Sequence, residues 1–187
     1  TLDKRILVEG LAEVVKHAII RDAGMLELLE KLAPELRQGI TLKVRELLPD
    51  LIARNVAIKA RIVEADEKET QGLRALLNFG HTIGHGIEAS LPYGQVLHGE
   101  GVSLGTRAAL YLSVKYAGFS REEESRILAL MNNLGLPLIL SPEIQLDAIM
   151  EKLATDKKFE SGEIRFVLSS RPGDAFVSGH ITTEDIR

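Results

Sequence analysis

The chain has 187 residues, 45% of them hydrophobic, with 23 basic and 27 acidic side chains for a net charge of -4. That is enough for a sizeable core in one or two domains, and the near-balanced charge excludes a nucleic-acid footprint or a polyanionic tail. No cysteine is present, which excludes disulfides, thiolate zinc sites and cysteine nucleophiles and leaves His, Asp and Glu as candidate metal ligands.

The opening residues Thr1, Leu2, Asp3, Lys4 and Arg5 carry no signal-peptide pattern. No stretch reaches the roughly 20 apolar residues that cross a bilayer. A soluble, cytoplasmic chain without membrane or nucleic-acid partners is expected. A start without methionine, with a helix almost at once, reads as a fragment or a processed chain.

From Leu7 to Ile19, the residues Leu7, Leu11, Val14, Val15, Ala18 and Ile19 follow the i, i+4, i+7, i+8 pattern of a helix with one buried face. Glu13 and Lys16 lie three apart on it. A second short helix is expected from Met25 to Leu32, stopping at Ala33-Pro34 because proline disfavours helical geometry in the residue before it. A third runs from about Leu42 to Glu64, kinked or divided by Pro49. The polar run Asp66 to Gly72 reads as a loop that delivers the chain into a helix carrying Arg74 and ending near Ser90 to Gly94.

Another helix follows from His98 to about Ala117, whose small residues Gly101, Ser103, Gly105, Ala108 and Ala109 permit close packing. Ser120 looks like an N-cap, with Glu123 completing a capping box, and its helix ends around Gly135-Leu136-Pro137. Ser141-Pro142 opens a last helical stretch through Leu146, Ile149, Met150 and Leu153. Ile164 to Leu168 and Ala175 to Val177 are strand candidates on either side of the turn sequence Arg171-Pro172-Gly173-Asp174. The expected fold is mainly α, a single multi-helical domain over residues 1–187 with a small β-hairpin near the C-terminus.

On an α-helix with about 100° per residue, Arg74, Asn78, His81 and His85 fall within roughly a 60° arc, with Leu76, Phe79, Ile83 and Ile87 on the other side. An imidazole pair at i, i+4 can grip one cation, and a third ligand from another element would complete a site with an open position. His98 and Glu13 are candidates to join it. The competing reading is a solvated or core-satisfied histidine pair. His81-Thr82-Ile83-Gly84-His85 is not the His-Glu-x-x-His of zinc peptidases, because Thr82 stands where their general base would be.

Gly80 and Gly84 form a Gly-x-x-x-Gly step costing about 1 kcal/mol each relative to alanine. Close approach of another helix explains that cost better than ligand contact does. Lys16, Lys59 and Arg74 are candidate anion-binding groups, a lysine supplying a point charge and arginine a planar fork. Lys59 beside Arg61 and the loop Asp66-Glu67-Lys68-Glu69 also read as ordinary solvated faces, with Glu69 an acid/base candidate if it folds over the site. His17 and His180 read as structural or surface residues.

These segments resemble the C-terminal domain of the 3-dehydroquinate synthase family. The resemblance is carried by Glu9 to His17, Asp66 to Glu69, Gly72 to Glu88, Leu97 to Glu100 and Asp156 to Lys158, in that order. It implies a Zn2+ (or Co2+) and NAD-dependent shikimate-pathway lyase that converts 3-deoxy-D-arabino-heptulosonate 7-phosphate to 3-dehydroquinate and phosphate. It further implies Glu13, His81 and His98 as metal ligands. Lys16, Lys59, Arg74, Asn78, His85 and one of Lys157 and Lys158 are implied as substrate-binding, and Glu69 and His85 as proton-transfer residues.

No counterpart of the family's N-terminal NAD-binding domain is expected within these residues, since they hold no glycine-rich strand-to-helix turn. The chain is therefore expected to be the metal- and substrate-binding half, inactive alone, with that NAD domain and a second copy of itself as expected partners. The loop from Glu69 to Arg74 is one residue longer than the family form. Two other readings remain: another sugar-phosphate cyclase of the superfamily, and a non-catalytic helical binding module.

Overall fold

In the computed structural model, which describes residues 3–68, 70, 72–154 and 164–186, Asp3 opens the first helix by accepting the Arg5 N–H at 2.7 Å. This helix, α1 (Lys4–Arg21), buries Leu11, Val15, Ala18 and Ile19, the face its sequence spacing predicts. α2 (Ala23–Leu36) runs through Pro34 and does not stop before it. Pro34 lies so near the end that its missing N–H removes one bond, while continuing the helix buries Leu36 beside Leu29, Leu32 and Ala33.

Thr41 caps α3 (Leu42–Ala65) by accepting the Val44 N–H at 3.3 Å, and this helix passes Pro49 undivided. Its buried stripe, Val44, Leu51, Ile58 and Ile62, lies on both sides of the proline.

The expected single helix from Arg74 to Ser90 is two pieces. Arg74–Asn78 forms a 3₁₀ turn, Gly80 adopts a left-handed φ of 76°, and α4 (His81–Ala89) starts after it. Gly80 turns the chain where α5 (His98–Tyr116) presses on it. A Cβ on Gly105 would stand 1.8 Å from Gly80 O, and one on Gly84 would stand 2.9 Å from Gly101 O. The glycine step is therefore the close helix contact expected from the sequence, with Gly101 and Gly105 on the opposing side.

Ser120 opens α6 (Arg121–Leu134) by accepting the N–H groups of Glu122 and Glu123 at 3.2 and 3.3 Å. The Glu123 carboxylate pairs with Arg126 at 3.3 Å, so only the Ser120 half of the capping box is seen among the described residues. Gly135, at φ 85°, ends α6. α7 (Leu146–Ala154) begins later than the Ser141-Pro142 reading, because Ile144 N–H closes a turn onto Ser141 O at 2.9 Å.

β1 (Ile164–Arg171) and β2 (Asp174–Ile181) form an antiparallel hairpin with Val167 opposite Val177 and Leu168 opposite Phe176. Its tip is tied to α1 by Gly173 N–H on Ile19 O at 2.8 Å. A one-turn α8 (Thr183–Ile186) follows.

α5 is shared between two apolar clusters. Val102, Ala109 and Leu110 join the core made by α1, α2, α3 and α6, whereas Leu104 and Leu112 join the one made with α4, α7 and the hairpin. Its starting end, which carries His98, is thereby fixed against both α1 and α4. Among the described residues no helix is long and apolar enough to cross a membrane.

Candidate metal and anion site

Five elements wall a cavity of about 570 Å³. α1 supplies Glu13, Lys16 and His17, α3 supplies Asn55 and Lys59, the 3₁₀ turn supplies Arg74 and Asn78, and the starts of α4 and α5 supply His81 and His98. Residues 13, 16 and 17 share a helix face because they are three and four apart, and the same holds for 55 and 59. The 3₁₀ turn replaces the helical stripe read from the sequence, yet Arg74, Asn78 and His81 still meet at one wall.

Glu13 Oε1 is buried and accepts no hydrogen bond. It lies 3.2 Å from His81 Nε2 and 3.5 Å from His98 Nε2. The other nitrogen of each ring fixes the tautomer. His81 Nδ1 is 3.1 Å from Phe79 O, which can only accept, so Nδ1 carries the proton and a neutral ring turns a bare Nε2 toward Glu13. His98 Nδ1 is 3.2 and 3.3 Å from the two Glu88 carboxylate oxygens, with the same consequence.

Three lone pairs thus face one another. Such an arrangement is repulsive unless a cation sits among them. Tetrahedral ligand atoms at about 2.1 Å from zinc lie roughly 3.4 Å apart, close to the observed spacings. The donor set, two imidazoles and one carboxylate, fits a divalent metal with an open position.

The carboxylate is held ready. Burial alone would raise its pKa, but the Lys16 ammonium at its other oxygen pulls the opposite way, and the pKa stands below the usual range. Lys16 Nζ lies 2.5 Å from Glu13 Oε2 and donates to Leu77 O at 2.9 Å. An ammonium has three donors, so one remains for a ligand in the cavity. Burial lowers the Lys16 pKa. Lys59 is exposed at the rim. Arg74 is oriented by its backbone N–H on Asp66 Oδ2 at 3.1 Å and by its guanidinium on Glu67 O at 3.4 Å. Asp66 is buried, so this part of the acidic loop is a built-in brace and not the wet face read from the sequence. With Lys16, Lys59 and Arg74 around one carboxylate, the cavity favours an anion beside the cation position.

His85 is exposed and stands edge-on to His81, its ring centroid 5.3 Å away, and 5.9 Å from that of His98. It groups with Glu88 and His98 on the far side of the triad. Glu69, Lys157, Lys158 and the side chain of His180 lie outside the described residues.

The sequence reading missed three residues here. His17 is 3% exposed and hydrogen-bonds Asn55 at 2.5 Å, and both line the cavity. Glu88 touches His98. The i, i+4 relation of His17 to Glu13 was an available signal, whereas nothing along the chain pairs position 88 with 98.

Comparison with known proteins places this geometry in context. The family described as 3-dehydroquinate synthase C-terminal matches residues 10–159. The 3-dehydroquinate synthase of Hydrogenovibrio crunogenus is 41% identical over 184 residues, 98% of this chain and 50% of the relative. The chain spans about half the length of the curated relatives it matches. Among solved structures, 2-epi-5-epi-valiolone synthase from Streptomyces hygroscopicus subsp. jinggangensis, with NAD+ and Zn2+ bound, superposes with a TM-score of 0.84 at 31% identity, covering 100% of this chain and 50% of that one. A 2-deoxy-scyllo-inosose synthase complexed with carbaglucose-6-phosphate, NAD+ and Co2+ shares the fold, with a TM-score of 0.76 at 19% identity over 99% of this chain and 52% of that one.

Proposed function

The chain belongs to the 3-dehydroquinate synthase family, and from that premise we propose that it is the metal- and substrate-binding half of a 3-dehydroquinate synthase. The reaction is conversion of 3-deoxy-D-arabino-heptulosonate 7-phosphate to 3-dehydroquinate and phosphate. The observation that carries this reading is the convergence of Glu13 Oε1, His81 Nε2 and His98 Nε2 beside a cavity bearing Lys16, Lys59 and Arg74.

Glu13, His81 and His98 would hold Zn2+ or Co2+. When bound, the metal would supply polarisation of a substrate hydroxyl and NAD a hydride acceptor, the chemistry that makes the neighbouring proton acidic enough for loss of phosphate. The chain's own residues orient the anion. Lys16 offers its remaining N–H, Lys59 and Arg74 receive carboxylate and phosphate oxygens, and Asn78 fixes position by hydrogen bonding. His85 and Glu69 are assigned proton transfer, and one lysine of Lys157 and Lys158 is assigned to the substrate-binding set. The NAD site is assigned to a domain N-terminal to these residues, in keeping with relatives about twice as long. These 187 residues alone are therefore expected to bind metal without turning over substrate.

The test is metal analysis of the wild type and His81→Ala, with phosphate release measured on the chain joined to its NAD domain. Wild type should hold one zinc per chain and release phosphate from the heptulosonate phosphate, and His81→Ala should do neither. Equal zinc in both proteins removes His81 from the site. Turnover of another sugar phosphate, with none of the heptulosonate, would replace the synthase reading by that of a sister cyclase, the alternative that the 31% identity to the valiolone synthase supports.

A further inference from the structure

We propose that Glu88 is the positioning carboxylate of the metal centre: by accepting the His98 Nδ1–H it fixes the tautomer and direction of that ligand, and so sets metal affinity. This rests on the reading of Glu13, His81 and His98 as ligands.

His98 needs such a tether more than His81 does. The His81 side chain is 11% exposed and bonded to backbone, whereas that of His98 is 48% exposed at the first residue of α5. An imidazole that open can turn about its Cβ–Cγ bond and present either nitrogen to solvent. Glu88 removes that freedom, since both of its oxygens lie within 3.3 Å of Nδ1 and leave Nε2 directed at Glu13. A ligand histidine held by a carboxylate through its second nitrogen is also the more basic donor.

The competing explanations for a carboxylate at this place are filled by other residues. At the start of α5, Glu9 accepts the Gly99 N–H at 3.1 Å, and Glu100 accepts the Leu97 N–H at 2.9 Å while pairing with Arg5 at 2.7 Å. Capping of α5 is thus already supplied. Nor does α4 favour Glu88, which sits in its last turn where the helix dipole disfavours a negative charge by about 0.3–1 kcal/mol. The glycine contact between α4 and α5 determines the span from Glu88 to His98. A Cβ on Gly101 would come within 3.2 Å of Glu88 Cγ. Placement of this carboxylate is therefore built into the helix pair.

His85, Glu88 and His98 also form a group compact enough to hold a cation of their own, and the test separates that arrangement by stoichiometry. Zinc affinity and stoichiometry are measured by competition with a chromophoric chelator at fixed pH for wild type, His81→Ala, Glu88→Ala and Glu88→Gln. Unfolding of each metal-free protein is followed by circular dichroism. Glu88→Ala should keep one zinc per chain with affinity about 10–100-fold weaker, and its metal-free unfolding should match that of wild type. Glu88→Gln still accepts the Nδ1–H but lacks the charge, and should lie between the two. His81→Ala should lose the zinc.

Unchanged affinity in Glu88→Ala, with zinc lost from His81→Ala, overturns the role of Glu88 and leaves the ligand reading standing. Zinc retained by His81→Ala overturns both. A second zinc equivalent that disappears only in the Glu88 variants makes Glu88 a ligand of a separate site, and overturns the proposal. Should Glu88→Ala fail to fold, Glu88→Gln decides, since affinity equal to wild type in that protein rejects the charge effect.

Discussion

His17 carries its proton chemistry inside the cavity wall, 3% exposed, with Nδ1 on Asn55 and Nε2 buried without a hydrogen-bond partner. Burial lowers its pKa first, and the neighbouring Lys16 charge lowers it further, against a smaller upward pull from the Asn55 hydrogen bond. The folded protein therefore refuses a proton that the unfolded chain accepts below its usual value of about 6.5. The stability contributed by neutral His17 is complete above that pH and declines as pH falls through it toward the depressed folded value, by at most about 1.4 kcal/mol per pH unit. His17→Gln keeps a polar side chain beside Asn55 but cannot titrate. In metal-free samples, its urea midpoint should fall less between pH 7.5 and 5.5 than that of wild type, because only the wild type has a buried His17 to protonate on unfolding. Equal falls would place the His17 ring in contact with solvent protons and contradict its burial. The residue was legible only as a helix position: 13, 16 and 17 share a face, but no local pattern reveals that this face looks into a cavity and not into the core.

At the scale of elements, the decisive contact is between α4 and α5, where backbone meets backbone. Gly105→Ala would drive a methyl group to within 1.8 Å of Gly80 O, which neither helix can yield without separating. A cost of about 3 kcal/mol or more is expected, together with loss of zinc, since His81 and His98 stand on the two helices being pushed apart. Gly10 gives the contrast. It lies exposed in α1 with nothing within 4 Å of its Cβ direction, so Gly10→Ala should stabilise by about 0.5–1 kcal/mol. Thermal unfolding of the two variants checks both signs, and a neutral Gly105→Ala would mean that the helix pair is looser than described. The sequence announced this contact through its paired small residues, and it announced the ends of α6 through Ser120 and Gly135. It did not announce that Gly80 would break the Arg74 helix, because periodicity continues across positions 74–87 whether or not the backbone does. Nor did it show that Pro34 and Pro49 would be tolerated, which depends on apolar burial on both sides of each proline.

For the whole molecule, the proposed metal position lies where α1, α4 and α5 meet, and so joins segments remote in the chain. Nothing local in the sequence links Glu13 to His81; the family resemblance did, and the buried, unpartnered Glu13 Oε1 gives that pairing a physical ground. A cation there relieves the mutual repulsion of three acceptors that folding itself brings together. Metal binding should then stabilise the folded state by mass action, since the unfolded chain holds no such arrangement. With free zinc at about 100 times its dissociation constant the gain is about 2.7 kcal/mol, which for a domain of this size corresponds to roughly 5–10 °C in Tm. Thermal unfolding of the isolated chain with chelator, and then with zinc, should show that rise. His98→Ala should abolish most of it. A rise of the same size in His98→Ala would put the zinc elsewhere. No rise in the wild type, at zinc concentrations that the chelator competition shows to be saturating, would mean that the three ligands are not assembled by this half of the relatives' length, and that the proposed NAD domain is needed to complete the metal site as well as the cleft.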